Sequence, residues 1–115
     1  MLRPISVLIL ALVFLVFIDS SRAASPKTIV FIGDSITDGY GVTKEEAYPT
    51  KVGELLKSKG HDVKVINGGT SGSVTAEADR RVRWFLRAKP EVVVLALGGN
   101  DGLKGTPVSV IEQNL

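Results

Sequence analysis

The chain has no cysteine, and its 14 basic residues stand against 12 acidic ones. The first absence removes disulfides, thiol nucleophiles and thiolate zinc sites together, and leaves no thiol to be acylated as a lipid anchor. The near balance of charge, formally +2, lacks the electrostatic footprint of a nucleic-acid partner. Nucleotide motifs are missing as well. Gly98-Gly99 is not a dinucleotide fingerprint, and no phosphate loop with its lysine occurs. Internal repeats and low-complexity linkers are also absent, and 115 residues leave room for one small domain at most.

What is present begins with a basic residue, Arg3, and an apolar run from Ile5 to Ile18, followed by polar and small residues up to Ser25. That order predicts a secretory signal peptide over residues 1–23, cleaved after Ala23, with Ser21 and Ala23 as the small-x-small pair. The run is short of the roughly 20 residues that a membrane-spanning helix needs. The protein is therefore expected to be exported, periplasmic or secreted, with no stable membrane anchor after cleavage. Without residues 1–23 the balance is 12 basic against 11 acidic residues, or +1.

Residues 24–115 alternate strand and helix signals. Thr28–Ile32 is a short β-branched and aromatic run, of the kind buried on both faces of a parallel sheet. Tyr48, Val52, Leu55 and Leu56 then fall on one helical face, with Pro49 in the first turn and Gly60 past the end. Val63–Ile66 predicts a second strand. Ala78, Val82, Phe85 and Leu86 repeat the helical spacing, with Thr75 as a candidate N-cap and Pro90 as a stop. Arg80, Arg81, Arg83 and Arg87 are expected mostly on the wet face of that helix, dense enough to suit an anionic surface. Trp84 and Phe85 read as packing or surface groups. Glu91–Leu97 predicts a third strand, and Thr106-Pro107 opens a further helix with Val108, Ile111 and Leu115 on one face. This β-α-β-α-β-α order predicts a parallel sheet with right-handed crossovers. The last helix reaches Leu115 without a stop signal, so the domain is expected to be truncated after its third strand.

Three polar, glycine-rich loops follow the three strands: Gly33-Asp34-Ser35-Ile36-Thr37-Asp38-Gly39, Asn67-Gly-Gly-Thr-Ser-Gly72 and Gly98-Gly99-Asn100-Asp101. In open α/β sheets the carboxyl ends of strands are where ligands and catalytic groups gather. Glycines let backbone N–H groups come close to a ligand, and asparagine adds an uncharged donor. A serine hydroxyl facing such donors is what acyl transfer requires: a nucleophile, and stabilisation for the oxyanion. Taken singly, Ser35 reads more readily as a helix cap than as a nucleophile, and Asn100 and Asp101 suit a turn.

Those three blocks, in that order and each at a strand end, resemble the SGNH/GDSL hydrolase superfamily. The wording is most similar to its arylesterase, acyl-CoA thioesterase I and lysophospholipase branch, where a Gly-Gly-Asn-Asp-Gly-Leu stretch is typical. The resemblance implies an α/β, three-layer α/β/α flavodoxin-like fold over residues 24–115. It also implies a cofactor-free serine hydrolase without a metal, acting as a monomer on a small acyl ester or thioester through an acyl-enzyme. Carried over, it makes Ser35 the nucleophile, with its own backbone N–H, that of Gly72 and the Asn100 side-chain amide as the oxyanion hole. Gly72 is preferred to Gly68 or Gly69 because it lies five residues after Asn67, the family's spacing. Asp34 matches the motif residue that shapes the turn, Asp101 is read as structural, and Asp38 as a loop residue.

One block of the family is missing. Its Asp-x-x-His, which supplies the general base and the acid that orients it, does not occur here. The single histidine, His61, precedes the second strand and is expected at the opposite end of the sheet from Ser35, out of hydrogen-bond reach. The chain alone is therefore expected to show little or no esterase activity. Two alternatives belong beside this reading: a catalytically inactive remnant that binds a small acyl or sugar ester, and a carbohydrate deacetylase.

Overall fold

The computed structural model describes residues 24–115; the signal peptide expected over residues 1–23 lies outside them. Three parallel strands, β1 (Lys27–Gly33), β2 (Val63–Gly69) and β3 (Val92–Ala96), form one sheet in the order β2-β1-β3. The most continuous apolar run takes the centre. Val30, Phe31 and Ile32 of β1 are buried, since both faces and both edges of that strand are covered. Among the described residues there are five helices in chain order: α1 (Ser35–Asp38), α2 (Tyr48–Ser58), α3 (Ala78–Phe85), α4 (Gly99–Leu103) and α5 (Val108–Asn114). Short 3-10 turns, Thr75–Glu77 and Leu86–Ala88, bracket α3.

Side-chain parity separates the layers. A Cβ built on Gly53 of α2 would stand 2.8 Å from Val65 Cγ2, and one built on Gly68 would stand 2.6 Å from Phe85 Cζ of α3. Val65 and Gly68 are an odd number of residues apart on β2, so they face opposite sides of the sheet. Helices α2 and α3 therefore cover opposite faces, which gives the expected three layers. Tyr48 at the start of α2 adds an edge-on contact with Phe31, ring centroids 5.6 Å apart. No helix among the described residues is long and apolar enough to cross a membrane.

Several local expectations are corrected. Strand β2 runs on through Asn67, Gly68 and Gly69, which the sequence pattern assigns to a loop, and pairs as far as Gly33↔Gly69. Glycine in a strand often marks a close approach of other groups rather than a strand end. Here a Cβ on Gly69 would lie 2.1 Å from the backbone nitrogen of Asp38. Leu55 and Leu86, placed on the buried helical faces, are 56% and 52% exposed. Thr75 does not cap α3: it opens a 3-10 turn, and its hydroxyl donates to Asp101 instead. Arg81, expected on the wet face, is only 8% exposed.

Candidate active site

Ser35 stands directly beyond the carboxyl end of the central strand, as the first residue of α1, and is half-buried. Asp34 caps that helix: its carboxylate accepts the Ile36 N–H at 3.0 Å, which shapes the turn without engaging Ser35. The turn is fastened from below. Asn67 Nδ2 donates to the Thr37 carbonyl at 2.8 Å, while its Oδ1 accepts the Gly69 N–H at 2.8 Å. The Thr37 hydroxyl meets the Tyr48 phenol at 2.9 Å, tying α1 to α2.

The second and third loops close on the same end of the sheet. The Thr70 N–H donates to the Gly33 carbonyl at 3.0 Å, so the chain leaving β2 is bonded to the residue two before Ser35. Residues 70–73 then form a turn closed by Ser73 N–H to Thr70 O at 3.2 Å, with Gly72 at φ 82°, a left-handed conformation that other residues adopt only with strain. Asn100, in the first turn of α4, donates its side-chain amide to the Ser73 carbonyl at 2.9 Å. A Cβ on Gly99 would fall 3.4 Å from Asp34 Oδ2, so α4 also approaches the Ser35 turn. Ser35, Gly72 and Asn100 are thus brought to one rim of the sheet. Gly68 and Gly69, the other candidates in the second block, are strand residues, and Gly69 spends its N–H on Asn67. Among the described residues no acceptor takes the backbone N–H of Ser35 or of Gly72.

Around this rim lies a polar clamp. Asp101, 2% exposed, accepts the Thr75 N–H at 2.9 Å and the Thr75 hydroxyl at 2.6 Å. Those bonds, the hydroxyl's above all, hold its carboxyl below the usual aspartate range, against the opposing effect of burial. Asn114 of α5 donates to the same Thr75 hydroxyl at 3.0 Å. Glu77 accepts the Val74 N–H at 3.2 Å and is likewise shifted down, chiefly by that bond. Asp101 is therefore structural, as its sequence context suggests. Among the described residues the Asp38 carboxylate meets only Ser71, whose hydroxyl donates to it at 3.4 Å.

Sequence reasoning missed Arg81. Its guanidinium donates to the Gly33 carbonyl (3.1 Å), Ser73 Oγ (2.5 Å), Thr70 Oγ1 (2.9 Å) and the Gly68 carbonyl. A signal was available, since 78, 81 and 85 fall at i, i+3 and i+7, so Arg81 shares the face of buried Ala78 and of Phe85. His61 lies where expected, exposed beside the amino end of β1, where the Lys27 N–H donates to the Asp62 carbonyl at 3.0 Å. Six residue steps along the strand put it about 20 Å from the Ser35 rim. Trp84 is a surface group, 61% exposed, with the Arg87 guanidinium 4.5 Å from its ring centroid. Among the described residues no group of three histidine, aspartate or glutamate side chains is placed to hold a metal ion.

A parallel three-layer sheet with a serine turn beyond its central strand, and glycine and asparagine loops beside it, is the architecture of the SGNH hydrolases. The crystal structure of AlinE4, an esterase of that family, matches with a TM-score of 0.74 at 38% identity, covering 79% of this chain and 50% of its own. The crystal structure of TesA matches at 0.73 and 34%, covering 76% and 49%. Residues 31–115 match the GDSL-like lipase/acylhydrolase family, and the chain belongs to that family. An arylesterase of Vibrio mimicus is 38% identical over 108 residues, which make up 93% of this chain and 54% of that protein. Esterase TesA of Pseudomonas aeruginosa is 35% identical over 96 residues, 83% of this chain and 48% of the relative. The chain spans about half the length of the curated relatives it matches.

Proposed function

We propose that this chain carries the nucleophile and the oxyanion-binding groups of an exported ester hydrolase. The observation that bears most weight is the bonding of the three loops to one another beyond β1: Thr70 to Gly33, and Asn100 to Ser73 beside Gly72. In the proposed reaction Ser35 Oγ attacks the acyl carbonyl carbon and the carbonyl π pair moves onto oxygen. The N–H groups of Ser35 and Gly72, with the second N–H of the Asn100 amide, stabilise that oxyanion. Collapse expels the alcohol or thiol, which takes up the serine proton. Water then releases the acid from the acyl-serine. Substrates suited to this chemistry are short aryl or acyl esters, lysophospholipids or acyl thioesters; relatives are named as an arylesterase and as a thioesterase and lysophospholipase.

Proton transfer from Ser35 needs a base, and His61 stands at the far end of the sheet. A triad enzyme stripped of a member retains only about 10³–10⁴-fold over the reaction in water. The isolated chain is therefore expected to turn over a p-nitrophenyl ester weakly. The direct test is covalent: a fluorophosphonate probe, with imidazole supplied as the base, forms an oxygen–phosphorus bond at Ser35 as fluoride leaves and imidazole takes the proton. Mass spectrometry should find the adduct on Ser35 alone, growing faster with imidazole and absent in Ser35→Ala. Labelling that persists in that variant refutes the assignment. Expressed with its leader, the exported protein should begin at Ala24.

A further inference from the structure

Arg81 is the one arginine of α3 that turns inward, and every acceptor it meets belongs to the site's own framework. Its Nη1 bonds the Gly33 carbonyl at 3.1 Å and Ser73 Oγ at 2.5 Å; its Nη2 bonds Thr70 Oγ1 at 2.9 Å and the Gly68 carbonyl. Gly33 precedes the Asp34-Ser35 turn, and Thr70 and Ser73 are the two ends of the turn that contains Gly72. The neighbouring arginines do none of this: Arg80 pairs with Glu77 and Arg83 with Asp79 at the surface. No carboxylate approaches Arg81 within ion-pair distance among the described residues. Its charge is instead spread over two carbonyls and two hydroxyls. Bonds to an ionised donor are about twice as strong as neutral ones, and the planar fork fixes direction as well as distance.

We infer that Arg81 is a positioning residue for the acyl-transfer site: it locks the 70–73 turn onto the end of β1 and so sets the Gly72 N–H relative to Ser35. This inference rests on the proposed nucleophile and oxyanion hole, and adds to them a residue that touches neither substrate nor Ser35. Asn100 holds the same turn from the other side through the Ser73 carbonyl, so Ser73 is gripped at both its hydroxyl and its carbonyl. A lysine at position 81 keeps the charge and loses the fork, leaving a single nitrogen to serve acceptors that the guanidinium meets with two.

The test compares wild type, Arg81→Lys and Ser73→Ala by amide hydrogen exchange and by Ser35 labelling with the fluorophosphonate in imidazole. In Arg81→Lys the Thr70 and Ser73 amides should exchange about tenfold faster or more, the consequence of losing bonds to a charged donor. The Lys59 amide, bonded to Leu55 within α2, should not change. The maximal labelling rate should fall by a similar factor, with the half-saturating probe concentration unchanged. Unchanged exchange in the turn of a folded Arg81→Lys protein overturns the inference. So does a loosened turn with an undiminished labelling rate, which would make Arg81 scaffold alone. If Arg81→Lys fails to fold, Ser73→Ala decides on the same two readouts, since it removes one acceptor and leaves the arginine in place. A wild type that never labels, with exchange responding as expected, refutes the nucleophile assignment while the hold of Arg81 on the turn stands.

Discussion

At the scale of single residues, side chains near the Ser35 rim divide into groups that build the turns and groups left with free donors. Asp34 Oδ1 and the side chains of Asn67, Thr75 and Asp101 are engaged in bonds within the chain. Asn100 is intermediate, since one amide N–H goes to the Ser73 carbonyl at 2.9 Å and the other is left for a ligand. Asn100→Ala therefore separates two effects. Its cost in stability should be near 1 kcal/mol, the ordinary worth of one hydrogen bond. Its cost in Ser35 phosphonylation should be larger, about 10²–10³-fold, as expected for removing one oxyanion donor. Denaturant unfolding and the labelling rate together check this, and a drop in labelling no larger than the lost stability implies would assign Asn100 to the turn alone.

At the scale of elements, the fold was legible because backbone periodicity and burial agree over whole segments. The continuous run Thr28–Ile32 became the central strand, Pro49 and Gly60 bounded α2, and three glycine-rich blocks fell at strand ends. What escaped was set by neighbours distant in sequence. Glycine at 68 and 69 signals a loop locally, yet β2 continues there because Phe85 and α1 need the space a side chain would fill. Arg81 signals solvent locally, yet acceptors gathered from three segments make burial favourable. That Ser35, Gly72 and Asn100 share one rim of the sheet follows from their place after the three strands, whereas the clamp behind them depends on tertiary contacts. The same reasoning predicts the outcome at Gly53. Alanine gains about 1 kcal/mol of helix propensity over glycine. Its Cβ would sit 2.8 Å from Val65 Cγ2, a stiff β-branched side chain on the strand beneath. Overpacking of that kind costs about 1–3 kcal/mol and wins. Gly53→Ala should therefore lower the urea midpoint, and a rise would show that α2 rides higher on the sheet.

At the scale of the whole molecule, the buried apolar set among the described residues is small: Val30, Phe31, Ile32, Ala47, Val63 and Ala78. Buried polar and charged residues are as numerous in the described part, with Asp34, Thr37, Ser73, Thr75, Arg81 and Asp101 all under a tenth exposed. Several of the polar bonds end on carboxylates. Thr75 holds Asp101 below the ordinary aspartate range, the Val74 N–H does the same for Glu77, and the Thr43 N–H for Glu46. A carboxyl whose folded pKa is depressed adds stability that is complete above its unfolded value. That stability is lost as pH falls through the folded one. Unfolded values lie near about 3.9 for aspartate and 4.3 for glutamate. The thermal midpoint should accordingly be flat from neutrality to about pH 5 and fall below that. Asp101→Asn discriminates the source, because the amide offers one oxygen where Thr75 uses two and carries no charge to lose. Its midpoint should be lower than wild type at pH 7, and the two curves should converge as Asp101 protonates in the wild type. Curves that stay parallel down to pH 2.5 would mean that the bond between the second and third loops does not depend on the ionised form of Asp101 and that the acid sensitivity arises elsewhere.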